Sequence, residues 1–372
     1  MNPSFVRVAC GFWMLAAWVA PLSAQRWQMQ YFYDQNKSSF TIRDIWFASG
    51  ARGVAVGVVE EGRHEQPMSV ATSDGGAHWQ LVPLKEPPLS LFFLNENAGW
   101  LATSKGLWRT AEAGKGWSKL PKLPSAIFRV YFTDELTGWA VGPQKTVLET
   151  HDGGRHWAPL AAAAEQPGKA DYSAYNWIAF AGPQYGMITG WNLPPRRAPR
   201  LPDWIDPEAA LSRRETPHLS YSLVTRDGGK TWKSASASLF GDVSRVRFGP
   251  EGKGLGLIEY SDSFRVPSEV YQIDWHTGTS TTLFKDQKFA VTDIWLARDG
   301  TAYLAGIVQA GQVRSVVPGR VRVLQSIDKE HLGWKELDVD YRAVALRVTF
   351  SGVDGGNMWL ATDTGMVLKL AP

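Results

Sequence analysis

Cysteine is nearly missing: Cys10 is the single one in 372 residues, and it lies in a leader-like stretch, so a mature chain carries no thiol and no disulfide. Packing alone must hold such a protein together. Long apolar runs are also missing. The best, Phe12 to Ala20, is too short to span a bilayer. Surplus charge is small, with 39 Lys and Arg against 36 Asp and Glu and a formal net charge of +3, which argues against a nucleic-acid or membrane surface by bulk charge. The histidines His64, His78, His151, His156, His218, His276 and His331 show no metal-ligand spacing. No Gly-rich phosphate loop precedes a helix, and no long helix is expected. Neither a metal nor a cofactor is called for.

What is abundant is tryptophan, 18 residues, together with 36 glycines, a pairing that suits a β-repeat architecture. Thr150 to Trp157 reads Thr-His-Asp-Gly-Gly-Arg-His-Trp, and Thr72 to Trp79 and Thr225 to Trp232 are near copies. The parts have separable jobs. The aspartates Asp74, Asp152 and Asp227 can accept backbone N–H bonds across a tight turn, and Gly76, Gly154 and Gly229 can take positive φ. Trp79, Trp157 and Trp232 then start the next strand and bury a large ring. A calcium loop is the other reading, but one carboxylate per loop falls short of six or more oxygens. These are hairpin turns.

The turn belongs to a longer unit of about 40 residues. Its clearest copy runs Arg129 to Phe132, Gly138 to Gly142, Val147 to Thr150 and His156 to Leu160. Four short strands joined by tight turns make one sheet. Seven units can be traced, with first strands near Asp44 to Phe47, Ser90 to Phe93, Arg129 to Phe132, Trp177 to Phe180, Arg245 to Phe248, Asp293 to Leu296 and Arg347 to Phe350. The closing tryptophans are Trp79, Trp117, Trp157, Trp232, Trp275 and Trp334. Unit two carries Glu112 where the aspartate belongs, and unit five has no such turn. Unit seven ends with only three strands at Val367 to Leu370, and Arg26 to Tyr31 can supply its fourth. That pairing closes a ring and removes both edges. The expected fold is all-β, a seven-bladed propeller closed by the N-terminal strand.

Residues 1–24 read as a signal peptide, with Arg7 ahead of the apolar run and Ser23-Ala24 before Gln25, so residues 25–372 form the propeller and the protein is expected to be exported, periplasmic or extracellular. A Pro- and Arg-rich insertion at about 192–218 interrupts unit four.

The Asp-Gly-Gly-x-x-Trp turns resemble the Asp-box, or BNR, repeat of sialidases, other secreted glycosidases and sortilin-type receptors. The longer unit, Gly-Trp-Ala-Val-Gly ahead of Leu-Glu-Thr-His-Asp-Gly-Gly-Arg-His-Trp, is similar to the photosystem II stability and assembly factors. That resemblance covers most of the chain and implies an exported assembly chaperone or scaffold, not an enzyme. Its motifs specify fold more strongly than function.

Aligned by their closing residue, the seven first strands put Asp44, Ser90, Arg129, Trp177, Arg245, Asp293 and Arg347 in one ring on the channel. Neutralisation between neighbouring blades is the plainer reading of Arg129, Arg245, Arg347, Asp44 and Asp293. The sharper one is an anion or carboxylate site, because guanidinium forks match carboxylates. In the insertion, Arg196, Arg197 and Trp204 are candidates for a partner contact. The expectation is a monomer with a protein partner, no nucleic acid and no membrane span.

A glycoside hydrolase is the rival. Phe264-Arg265-Val266-Pro267 is similar to the Phe-Arg-Ile-Pro motif of sialidases but lies in unit five, and Tyr260 beside Glu259 should point to the opposite face of its strand. Asp44 and Asp293 could approach across the ring, yet arginines between them would hold both ionised. No catalytic residue is assigned.

Overall fold

The computed structural model describes residues 25–35, 37–195, 205–206, 208, 216–249, 252–260, 266–308, 317–354 and 357–371. The expected signal peptide lies outside them. The first strands of the blades are Ser38–Phe47, Pro88–Phe93, Arg129–Phe132, Ser173–Ala181, Gly241–Phe248, Phe289–Leu296 and Val348–Asp354. Each touches the next, and the last touches the first, so together they wall one central channel. Every blade continues outward through antiparallel strands. The chain is a seven-bladed β-propeller that includes a short helix at Ala161–Ala164 and a 3-10 turn at Ala170–Tyr172.

Closure uses the N-terminal strand. Arg26–Phe32 lies antiparallel to Met366–Ala371, with Trp27 opposite Leu370. Trp27 is buried against the seventh blade, its ring 5.8 Å from that of Phe350. Arg26 and Trp27 also pair in parallel with Asp338 and Val339, which ties blade six to blade seven.

An aromatic interlock explains why Gly, Trp and Phe recur together. The second-strand tryptophan of one blade stacks on the phenylalanine ending the first strand of the next: Trp359 on Phe47 at 3.5 Å, Trp100 on Phe132 at 3.8 Å, Trp139 on Phe180 at 4.9 Å. The turn tryptophan of the same blade meets that ring edge-on, as Trp157 does Phe132 at 6.1 Å. Each such contact adds about 0.5–1.5 kcal/mol beyond area burial. The small residue opposite the phenylalanine follows from this. A Cβ on Gly138 would stand 2.5 Å from the Phe132 ring.

The hairpin turns are built by side chains. Thr150 Oγ1 accepts from Gly154 N at 3.0 Å and donates to Asp152 Oδ1 at 3.0 Å. Asp152 in turn accepts the backbone N–H of His156 at 2.9 Å, and Trp157 Nε1 donates to the carbonyl of Gly154 at 3.0 Å. The same bonds recur around Asp74 and Asp227. Gly153 and Gly154 sit at φ +76° and +90°, where an L side chain is disfavoured. In blade two Thr110 still accepts from Gly114 N at 3.1 Å, but Ala113 takes the left-handed position at φ +55°.

Blade five departs from the expected pattern. Trp275 does not open its outer strand, which runs from Thr279 to Lys285. It lies in the preceding turn, stacked on Tyr185 at 4.9 Å, while Asp274 caps the turn through the N–H groups of His276 and Thr277. A different turn does the same job there.

Candidate functional site

Strand register defines the channel ring. Asp44, Ser90, Arg129, Trp177, Arg245 and Asp293 each pair with the residue three past the small one that opens the second strand's repeat (Gly53, Gly99, Gly138, Gly186, Gly254 and Ala302), namely Val56, Ala102, Val141, Thr189, Leu257 and Ala305. In blade seven that partner is Ala361, and it pairs with Thr349. Thr349, not Arg347, therefore completes the ring. Blades one, two, four, five and six carry a β-bulge just ahead of the ring residue, whereas blade seven has its bulge later, between Gly352 and Asp354. Phe350 pairs with Leu360 as Ile45 pairs with Ala55, and it is Gly352, opposite Met358, that stands where Phe47 stands opposite Gly53, so counting back from Phe350 lands two residues early.

The two ring aspartates are staples between blades. Asp44 accepts the N–H of Ile45 at 3.0 Å and that of Leu91, in blade two, at 2.9 Å. Asp293 repeats the arrangement with Ile294 at 2.9 Å and Phe350, in blade seven, at 2.8 Å. Each also faces an arginine: Arg129 Nη2 is 3.3 Å from Asp44, and Arg245 Nε is 3.4 Å from Asp293. Both carboxylates are buried and spoken for.

Trp177 stands among the arginines. Its ring centroid is 4.3 Å from the Arg129 guanidinium, 4.5 Å from that of Arg245 and 5.2 Å from that of Arg247. Arg247 was not a candidate from the sequence, yet residues two apart on a strand share a face. It is half-buried between Trp177 and Trp295, whose ring is 4.9 Å away. Among the described residues Arg247 makes no hydrogen bond and no ion pair, and its Nε is buried without a partner. Burial pushes its pKa down, with Asp293 acting the other way. The guanidinium stays charged regardless, because arginine does not lose its proton in proteins.

Beside Arg247 opens a cavity of about 230 Å³, lined also by Trp46, Phe92, Tyr131 and Trp295. These are the side chains two residues past the ring positions, an aromatic collar at the mouth of the channel. The first strands end at this mouth, and so do the third strands, which places the Asp-Gly-Gly turns on the same face. The site can take a small group that is anionic at one point and apolar around it.

The other end of the channel carries an ion pair. Arg347 donates to both oxygens of Glu259, at 3.0 and 2.8 Å, linking blade seven to blade five. Burial disfavours the Arg347 charge and the Glu259 carboxylate outweighs it, so its pKa is raised. The insertion leaves at this end, between Asn192 and His218, and His218 Nε2 meets Asp242 at 2.7 Å. Arg196, Arg197 and Trp204 lie outside the described residues, as do Phe264 and Arg265. Tyr260 donates to Glu269 at 3.0 Å, and burial pushes its pKa well above the usual phenol range, the reverse of what a tyrosine nucleophile needs. Among the described residues no group of His, Cys, Asp and Glu could hold a metal ion, and no helix is long and apolar enough to cross a membrane.

The fold is a β-propeller similar to that of the photosystem II assembly factors. No family model matches the chain. The photosystem II assembly lipoprotein Ycf48 of Nostoc sp. is 25% identical over 247 residues, spanning 61% of this chain and 68% of that protein. A solved structure of YCF48 bound to D1 peptide shares the fold at a TM-score of 0.58 and 16% identity, covering 92% of this chain and 99% of that one. The GH74 xyloglucanase of Xanthomonas campestris reaches a TM-score of 0.59 at 12% identity, over 92% of this chain and 53% of the enzyme. At such identities the likeness concerns fold alone.

Proposed function

We propose that the chain is an exported, non-enzymatic propeller that binds a protein partner by a carboxylate presented at the aromatic mouth of its channel, in the role of an assembly scaffold. The observation that carries this is Arg247, a half-buried guanidinium that faces a cavity and has no carboxylate of its own. A buried cation without a counter-charge is costly, and an incoming carboxylate removes that cost. The cavity is below the size of most small-molecule pockets, which suits one or two side chains of a peptide better than a sugar chain. Two similarities support the scaffold reading: the Nostoc relative is a photosystem II assembly lipoprotein, and YCF48 has been solved with a peptide bound. The leader at residues 1–24 supports export.

The test is a titration of a fluorescein-labelled Gly-Ser peptide ending in Ala-Phe, as free acid and as C-terminal amide. Wild type should prefer the acid by about tenfold, and Arg247→Met should abolish the preference. Equal affinities for acid and amide in wild type would overturn the reading. A screen with fluorogenic glycosides addresses the hydrolase directly. Turnover that is lost in Asp44→Asn would replace the scaffold with an enzyme.

A further inference from the structure

Four arginines and three carboxylates, Arg129, Arg245, Arg247 and Arg347 with Asp44, Asp293 and Glu259, share the channel. Three of the arginines are paired, and the fourth is not. Asp293, two residues from the Trp295 ring that Arg247 packs on, is the carboxylate of the neighbouring channel strand, and it already holds Arg245. A flexible arginine side chain would ordinarily swing to such a carboxylate and be neutralised. Something in the site prevents it.

The obstacle is aromatic. Arg247 lies against the faces of Trp177 and Trp295, at 5.2 and 4.9 Å. Trp295 follows Asp293 by two residues on one strand face, so its ring stands next to the carboxylate. Trp177 cannot rotate freely, since its indole N–H donates to the carbonyl of Val246, the residue between Arg245 and Arg247. Its ring keeps contact with Arg129 and Arg245 as well as Arg247. The indole of Trp295, in contrast, has its Nε1 buried without a partner. That ring is not held by a hydrogen bond of its own, so its packing against the guanidinium is its clearest polar-facing contact.

We propose that Trp177 and Trp295 are positioning residues that hold Arg247 away from Asp293, so that the channel keeps a single guanidinium available for one carboxylate of a partner. The inference rests on the carboxylate reading of this mouth and adds the reason the site stays unquenched. It also sets the valence: one guanidinium matches a monovalent planar anion. Removing either ring leaves Arg247 in place but lets it collapse onto Asp293.

Three peptides separate the sources of the carboxylate: the Gly-Ser peptide ending in Ala-Phe as free acid, its amide, and the amide with one internal Glu. Wild type should bind an acid-bearing peptide about tenfold more tightly than the plain amide, with the two acid forms telling a chain terminus from a side chain. Trp177→Leu and Trp295→Leu should bring that ratio to within about twofold of unity, although Arg247 is intact. Trp295→Phe, which restores a ring face, should restore the ratio. The Trp295 variants stay informative if Trp177→Leu does not fold, because Trp295 is only partly buried. A ratio that survives in Trp295→Leu but vanishes in Arg247→Met would overturn the positioning role and leave the carboxylate site standing. No preference in wild type would remove both.

Discussion

Trp177 donates its indole N–H to the carbonyl of Val246 at 2.8 Å, fastening the channel strand of blade four to that of blade five between two arginines. The bond anchors the ring that three guanidinium groups contact. Trp177→Phe keeps a ring but leaves the Val246 carbonyl unpaired in a buried place. Chemical denaturation should show a loss of about 1–3 kcal/mol for this variant.

The aspartate staples should matter for stability more than for binding. Asp44→Ala leaves Arg129 without its carboxylate and the N–H groups of Ile45 and Leu91 without an acceptor. Breaking a buried pair of this kind costs about 3–5 kcal/mol, and Asp293→Ala should behave alike. Urea unfolding midpoints measure both. A loss below about 1 kcal/mol would contradict the staple, since that is the range of an exposed ion pair.

Blade two offers a gain. Ala113 stands at φ +55°, where Gly75, Gly153 and Gly228 stand in blades one, three and four at φ +74° to +76°. A left-handed conformation costs an alanine about 1–2 kcal/mol, part of which glycine returns as unfolded-chain entropy. Ala113→Gly should raise the thermal midpoint by about one degree, corresponding to about 0.5–1 kcal/mol in a chain of this size. Calorimetry decides it.

Acid should unfasten the hairpin turns. The Thr231 hydroxyl and backbone N–H hold the Asp227 pKa down, from 3.8 to about 2, and His78 and His156 hold Asp74 and Asp152 lower still. A folded-state pKa below the unfolded one means the fold favours the ionised form. The stability gained is complete above about pH 4 and fades as pH falls through the depressed values. Asn at all three positions should lower stability at neutral pH and flatten its decline between about pH 4 and pH 2. Denaturant midpoints across that range show the slope.

The propeller was legible because its signals are local and mutually required. Gly138, Trp100 and the turn Trp157 all fit Phe132, and losing any of them spoils a contact that the sequence displays as a repeat. Closure by Trp27 was legible too, since a blade short of one strand leaves an edge that a spare strand can cover. The channel was legible in part. The ring at Asp44, Arg129, Trp177, Arg245 and Asp293 follows from alignment, but Arg347 was assigned by counting back from Phe350, which occupies the place of Ile45 and not that of Phe47, so Thr349 holds the ring position. Arg247 escaped because one residue per strand was aligned, although the next residue on the same face also lines the channel. Its isolation depends on where three neighbouring blades put their carboxylates. No single strand states that.

The most direct measurement is a crystal structure with the free-acid Ala-Phe peptide bound. The account predicts one carboxylate on Arg247, with N–O distances of about 2.8 Å, and the terminal side chain among Trp46, Phe92, Tyr131 and Trp295. A peptide seated at the Glu259–Arg347 end, with Arg247 untouched, would contradict it.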